Sequence, residues 1–390
     1  MGRKGLRAAG GALALAATSW MSSVALAETP VPSNCPSVQA GKCFTDLSTG
    51  IRMAYVEVGP KDGKSLILLH GLTDSSRSWA ETMAKIHEKD PSLHVIAVDQ
   101  RGHGAASMPD EKQCAKDPKA CFTPKQFADD LIAFMDAKGL DKSAIAGHSM
   151  GSMIAQELAL DHPDRITAAV LVASTASSKG NSVLQQYVLD EPVKGSWQKA
   201  LAEKGVKSPE AIYNATPQDA DPDIQMWLAE SWVVSPYANS GLVQAIANET
   251  AQVKIGTWTG ATEALLDYDN SKRLTGLKVP TLALWGSQDT IFMRSPDQKG
   301  LIDALAKAHE ANGTPTYWKQ YGTQPLPDTG LQVGDLGHNL QWEAPEAVAN
   351  DIVSFLETGK PTRDQVKAGS SADGSSAQVT PNAAEIIGKP

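Results

Sequence analysis

Five consecutive residues, Gly147-His148-Ser149-Met150-Gly151, form a G-x-S-x-G pattern. A serine hydroxyl is a weak nucleophile until a neighbouring base takes its proton. The pattern gains meaning from its flanks. An apolar stretch, residues 143–146, leads into it, and helical spacing leads out of it. That context predicts a sharp strand-to-helix turn that lifts the Ser149 hydroxyl above a sheet. Gly147 and Gly151 lack side chains, so neighbouring segments can approach the turn. The following helix would aim the partial positive charge of its N-terminus at the site, where an oxyanion would form. Acyl-transfer chemistry is what such a residue serves.

A serine so placed needs a frame, and the flanking sequence supplies one. Residues 43–47 and 51–58 read as strands joined by a Ser48-Thr49-Gly50 turn. The runs 65–70, 94–99, 142–147 and 168–173 are short and almost unbroken in apolar residues, as suits parallel strands buried on both faces. Between them lie helical patterns. Trp79, Met83 and Ile86 recur at helical steps over residues 76–88. Thr123-Pro124 opens a second helix as cap and first-turn proline, and residues 150–161 make a third. Strand and helix in alternation predict an α/β class fold, a mostly parallel central sheet flanked by helices on both faces.

The rhythm breaks at Ser174, and the next strand is expected only at 281–285. Residues 175–277 include Trp197, Tyr213, Trp227, Trp232, Tyr237 and Trp258. So aromatic a stretch is folded, and it reads as a helical cap inserted after the sixth strand, over the carboxyl end of the sheet. The core then comprises residues 43–174 and 278–358, closed by an amphipathic helix over 344–357. Residues 359–390 turn to Ser, Gly, Ala and Pro and read as a flexible C-terminal tail.

The chain has 390 residues, 42% hydrophobic and 20% charged, with a net charge of −9. A negative chain offers no basic surface for phosphates, so a nucleic-acid partner is not expected. Arg3, Lys4 and Arg7 precede an Ala- and Leu-rich stretch ending in Ala25-Leu26-Ala27. This is the layout of a signal peptide over residues 1–27, and it predicts export to the periplasm or beyond. Residues 28–42 read as an irregular arm. No other long apolar run exists, so no stable membrane insertion is expected. The four cysteines lie beyond the signal, which suits an oxidising compartment. Three pairings are open. Local closure, Cys35–Cys43 and Cys114–Cys121, is expected because each pair bounds a small polar loop. Neither pair has the C-x-x-C spacing or nearby histidines of a zinc site, so no metal or other cofactor is expected.

The sequence resembles the α/β-hydrolase fold family over residues 43–358, in particular its lid-bearing serine esterase and haloperoxidase-like branch. Five features carry the likeness, in the family's order. They are His70-Gly71-Leu72 after a buried strand, Asp99-Gln100-Arg101-Gly102-His103-Gly104 after the next, and the Ser149 turn. Gly286-Ser287-Gln288-Asp289 follows strand 281–285, and Gly337-His338-Asn339 precedes the last helix. The resemblance implies a triad of Ser149, Asp289 and His338, in the chain order Ser, Asp, His. It implies backbone donors at Leu72 and Met150 for the oxyanion. It leaves Asp99, Arg101 and His103 a structural role. Asp289 and His338 stand 49 positions apart, more than in compact members, which leaves Asp335 as an alternative acid. Haloalkane dehalogenases and epoxide hydrolases of this fold carry aspartate at the turn. Serine here implies an acyl-enzyme.

The function implied is hydrolysis of a carboxylic ester or lactone. C–C bond or amide cleavage and acyl transfer share the triad, and a non-catalytic binding protein would be expected to lack part of it. The expected partner is a small-molecule ester or lactone with an apolar or aromatic part. It would sit in a pocket formed by Gly71, Trp79, Trp227, Trp232 and Trp258.

Overall fold

The computed structural model describes residues 41–232, 237–322 and 336–367. The expected signal peptide, nearly all of the arm with Cys35, the alternative acid Asp335 and all but the start of the tail lie outside the described residues.

Eight strands form one sheet: β1 (Cys43–Asp46), β2 (Arg52–Val58), β3 (Ser65–Leu69), β4 (His94–Asp99), β5 (Ser143–His148), β6 (Ile166–Val172), β7 (Thr281–Gly286) and β8 (Thr316–Tyr321). Their spatial order is β1-β2-β4-β3-β5-β6-β7-β8. The first two strands pair antiparallel, β2 also meets β4 antiparallel, and every later pairing is parallel. Alternate side chains of each strand face opposite ways. Leu66 and Leu68 of β3 join one core cluster with Met83, Ile86, Val348 and Ile352. Ile67 and Leu69 join the other with Phe127, Phe134, Met153 and Leu158. Both faces are therefore covered by helices. Each such leucine, fully buried, stabilises the fold by roughly 1.5–3 kcal/mol.

β8 is the strand that the apolar pattern does not announce, because Lys319 and Gln320 interrupt it. Lys319 is nonetheless buried. Its ammonium donates to Asp351 Oδ1 at 2.9 Å and to Thr362 O at 3.0 Å, so the charge is paired rather than solvated.

Between β6 and β7 the chain forms an insertion that is mainly helical, from Leu184 to Asp267. Its interior is continuous with one face of the sheet core, through Val188, Trp197, Tyr213, Ile246 and Trp258. It leans on loops at the carboxyl ends of β3 and β4: Thr257 Oγ1 donates to Gly102 O at 3.1 Å, and Thr250 Oγ1 to Thr73 O at 3.2 Å. A disulfide joins Cys114 to Cys121. Cys43 is disulfide-bonded as well. Among the described residues, no helix is long and apolar enough to cross a membrane.

Candidate active site

Ser149 lies between β5 and the helix Met150–Asp161, with φ 51° and ψ −117°. A non-glycine residue held there costs on the order of 1–3 kcal/mol and persists only where its surroundings over-determine it. The surroundings do so. Ser149 N–H donates to Val172 O at 2.9 Å, and Ser149 O accepts from Ser152 N at 2.9 Å and Ser152 Oγ at 2.6 Å. A Cβ on Gly147 would lie 2.1 Å from Gly151 O, and one on Gly151 would lie 2.4 Å from Leu69 O. Both glycines are required by close backbone approach.

Asp289 lies in the turn after β7, fully buried. Its Oδ1 accepts from Ile291 N–H at 2.9 Å and Phe292 N–H at 3.0 Å, which fixes the carboxylate plane. Its Oδ2 lies 2.9 Å from His338 Nδ1. A carboxylate there accepts the Nδ1 proton and leaves Nε2 with its lone pair, the tautomer a general base needs. The His338 loop is pinned to the end of β7. Gln288 N–H donates to Leu336 O at 2.8 Å, and Gly337 N–H donates to Glu343 Oε2 at 2.6 Å. The imidazole packs between Phe292 and His148, at centroid distances of 5.5 and 5.0 Å. His148 is the residue immediately before Ser149, so the base and the strained turn meet through that ring.

His148 Nε2 lies 3.0 Å from His338 O. A carbonyl only accepts, so Nε2 carries the proton. Nδ1 is then a buried acceptor, and Asp74 Oδ2 lies 3.9 Å from it. Burial holds His148 well below the usual imidazole range, and the nearby His338 adds to this. Burial also pushes the Asp74 carboxyl up to about 7, against the opposing effect of His338. Burial thus disfavours charge on both groups.

The loop after β3 frames the other side. Gly71 packs against the turn: a Cβ there would lie 2.8 Å from His148 Nδ1 and 3.3 Å from Ser149 Cβ. Leu72 follows, and its carbonyl accepts from Thr73 Oγ1 at 2.6 Å. Met150 N–H belongs to the first turn of its helix, where backbone donors lack intrahelical partners. Thr73 itself has φ 66°. The insertion grips this loop. Trp232 Nε1 donates to Thr73 Oγ1 at 3.0 Å, Arg77 Nε pairs with Glu249 Oε1 at 2.7 Å, and Ser75 Oγ donates to Glu249 Oε2. Thr73, Ser75, Arg77 and Glu249 were not among the expected site residues. The only sequence signal for Thr73, Ser75 and Arg77 is their position just after His70-Gly71-Leu72, and Glu249 has none.

The remaining motif is structural. Asp99 accepts from Ser76 N–H, Ala105 N–H and the Lys42 ammonium at 2.7–2.8 Å. Arg101 holds Asp130 through two bonds, at 2.6 and 2.7 Å. His103 donates from Nδ1 to Arg101 O at 2.8 Å, and burial holds it down at about 3. Burial likewise holds His70 at about 4, with its Nε2 accepting from Gln100 N–H.

The expected pocket residues divide. A cleft of about 720 Å³ lies in the insertion, and Trp227 and Trp232 line it with Trp197 and Tyr187. Trp258 is fully buried beneath, its ring 4.9 Å from Trp197 and 5.2 Å from Trp232. Gly71 lies at the serine. Trp79, expected at the pocket, is instead buried in the core cluster with Leu66, Leu68 and Met83. Its helical spacing with Met83 and Ile86 is the spacing of a core-facing stripe.

A family model for the alpha/beta hydrolase fold matches residues 64–345, and the chain belongs to that family. Several of the relatives it matches are hydrolases. It is 25% identical over 253 residues to 3-oxoadipate enol-lactonase 2 of Acinetobacter baylyi, covering 64% of this chain and 80% of that protein. It is 24% identical over 333 residues to an epoxide hydrolase of Caballeronia sordidicola, covering 80% and 93%. Among solved structures it is similar to a hydrolase from Pseudomonas aeruginosa PA01, with a TM-score of 0.57 and 20% identity over 82% of this chain and 99% of that one. An enol-lactonase from Burkholderia xenovorans LB400 matches with a TM-score of 0.56 and 19% identity, over 81% and 100%.

Proposed function

We propose that the chain is an exported serine hydrolase that cleaves a carboxylic ester or lactone through an acyl-enzyme. The observation that carries this reading is the Asp289 Oδ2–His338 Nδ1 bond of 2.9 Å, with the His338 ring 5.0 Å from that of His148, the residue before a serine held at φ 51°. In this reading His338 Nε2 takes the Ser149 proton as Oγ attacks the carbonyl, and Asp289 stabilises the imidazolium that forms. The N–H groups of Leu72 and Met150 receive the oxyanion, each contributing about 3 kcal/mol of transition-state stabilisation. His338 then passes the proton to the leaving group, and a water activated by the same imidazole releases the acid.

Similarity to an enol-lactonase supports the ester or lactone bond as the target. Similarity to an epoxide hydrolase does not extend to the nucleophile, because serine stands at the turn and an epoxide opened by serine would leave a stable ether. Export rests on the basic start, apolar stretch and Ala25-Leu26-Ala27 end of residues 1–27. The test is a screen of purified chain against aryl esters of graded acyl length and against lactones, in parallel with Ser149→Ala. Turnover of at least one member, absent from the variant, is expected. Equal rates in both proteins would overturn the reading.

A further inference from the structure

The cleft in the insertion has walls of unusual chemistry. Tyr187, Trp197, Trp227 and Trp232 supply aromatic surface, and Glu191 and Asp221 supply the charge. Among the described residues that line it, none is Lys, Arg or His. The rings of Trp197 and Trp227 stand at 88° to each other with centroids 6.3 Å apart, so two perpendicular indoles form a corner. Trp197 is buried, whereas Tyr187 and Trp227 remain exposed at the rim. Both carboxylates are exposed, and their recorded hydrogen bonds come from neutral donors: Gln186 Nε2 at 3.2 Å for Glu191 and Asp223 N–H at 3.0 Å for Asp221. Two lysines of the same insertion have partners of their own, Lys204 at the backbone of Ala220 beside Asp221. Lys194 pairs with Glu263, and Lys204 donates to the carbonyls of Asp219 and Ala220.

We propose that this cleft is a binding site for a small organic cation of the quaternary-ammonium type. The faces of Trp and Tyr rings carry negative quadrupole charge and attract a cation that lies against them. A quaternary ammonium has apolar methyl groups and no N–H, so it gives up little hydration on meeting an apolar wall. A primary ammonium would have to replace its hydrogen bonds to water at the few polar groups of these walls, chiefly Glu191 and Asp221. Glu191 and Asp221 add attraction for any cation and repulsion for any anion. A cleft of about 720 Å³ leaves room for an apolar group attached to the cationic head. Ser149, Asp289 and His338 are not among its lining residues, and Trp232 links it to their surroundings: its ring lines the cleft while its N–H holds Thr73 in the loop after β3.

The test compares three ligands of one shape: choline, its neutral carbon analogue 3,3-dimethylbutan-1-ol, and the anion 3,3-dimethylbutanoate. Binding is read by ligand-observed NMR and by tryptophan fluorescence, on the wild type and on Ser149→Ala, so the result does not depend on catalysis. Choline is expected to bind about tenfold more tightly than the neutral analogue, the anion weakest, and Ser149→Ala unchanged. Trp227→Ala, at a position 38% exposed, is expected to weaken choline about tenfold in a variant whose melting temperature shows it folded. Glu191→Gln with Asp221→Asn is expected to weaken it severalfold and to flatten its salt dependence. Equal affinity for choline and the alcohol, preference for the anion, or no choline binding at millimolar concentration would overturn the proposal. So would choline binding that Trp227→Ala leaves intact.

Discussion

Replacing Ser149 by alanine removes the hydroxyl and keeps the Cβ, so the turn and its backbone bonds survive. Ser149→Ala should lower ester turnover by roughly 10⁴-fold or more and leave the melting temperature within a few degrees. A folded Ser149→Ala variant with full activity would contradict the assignment. Asp289→Asn tests the tautomer. An amide can present its N–H to Nδ1, which would move the imidazole proton to Nε2 and remove the base. A fall in kcat on the order of 10⁴ is expected, and a variant within tenfold of wild type would argue that another acid orients His338. Asp74 gives a stability prediction whose sign follows from linkage. Its carboxyl titrates from 3.8 ordinarily to about 7 in the fold. Below the lower value both states hold the proton. Between the two, the unfolded chain releases it while the folded chain retains it, so stability falls as pH rises and levels off above about 7. Asp74→Asn, neutral throughout, should raise the melting temperature at about pH 8 relative to wild type and much less at about pH 4. A difference independent of pH would show that the buried carboxyl is ionised throughout.

At the scale of elements, the site depends on where strands stop. A Cβ on Gly286 would lie 2.0 Å from Gly337 O, so the end of β7 and the His338 loop meet backbone to backbone. Gly286→Ala should push the loop away, lowering kcat at least tenfold and destabilising the fold by roughly 1–3 kcal/mol. Unchanged kinetics would mean that the loop accommodates the methyl elsewhere. Much of this frame was legible in the sequence. β3, β4, β5 and β6 are apolar runs that stand out from their flanks, and the Ser149 turn is punctuated by glycines that the backbone contacts require. Asp289 and His338 follow from the chain order of the resembling family rather than from any local pattern. β8 was hidden because Lys319, a buried charge, is satisfied by Asp351, 32 positions on. Trp79 misled because a tryptophan near the site reads equally as pocket or core, and only the sheet face decides. The Thr73–Arg77 clamp was unreadable, since its partners Trp232, Glu249 and Thr250 lie more than 150 positions away.

For the molecule as a whole, that clamp joins the insertion to the loop bearing Leu72. Trp232→Phe keeps an aromatic ring and removes the hydrogen bond to Thr73. Such a bond contributes about 0.5–1.5 kcal/mol, so kcat/KM should fall roughly threefold to tenfold if the bond holds the loop in its working geometry. An unaffected kcat/KM with a lowered melting temperature would assign the clamp to stability alone. The claim beneath all of this is a covalent bond formed at one hydroxyl, and mass spectrometry of the chain treated with a fluorophosphonate measures it directly. The account predicts a single adduct, mapped to Ser149, absent from Ser149→Ala and strongly slowed in His338→Ala. An adduct at another residue, or full ester turnover by protein whose Ser149 stays unmodified, would contradict it.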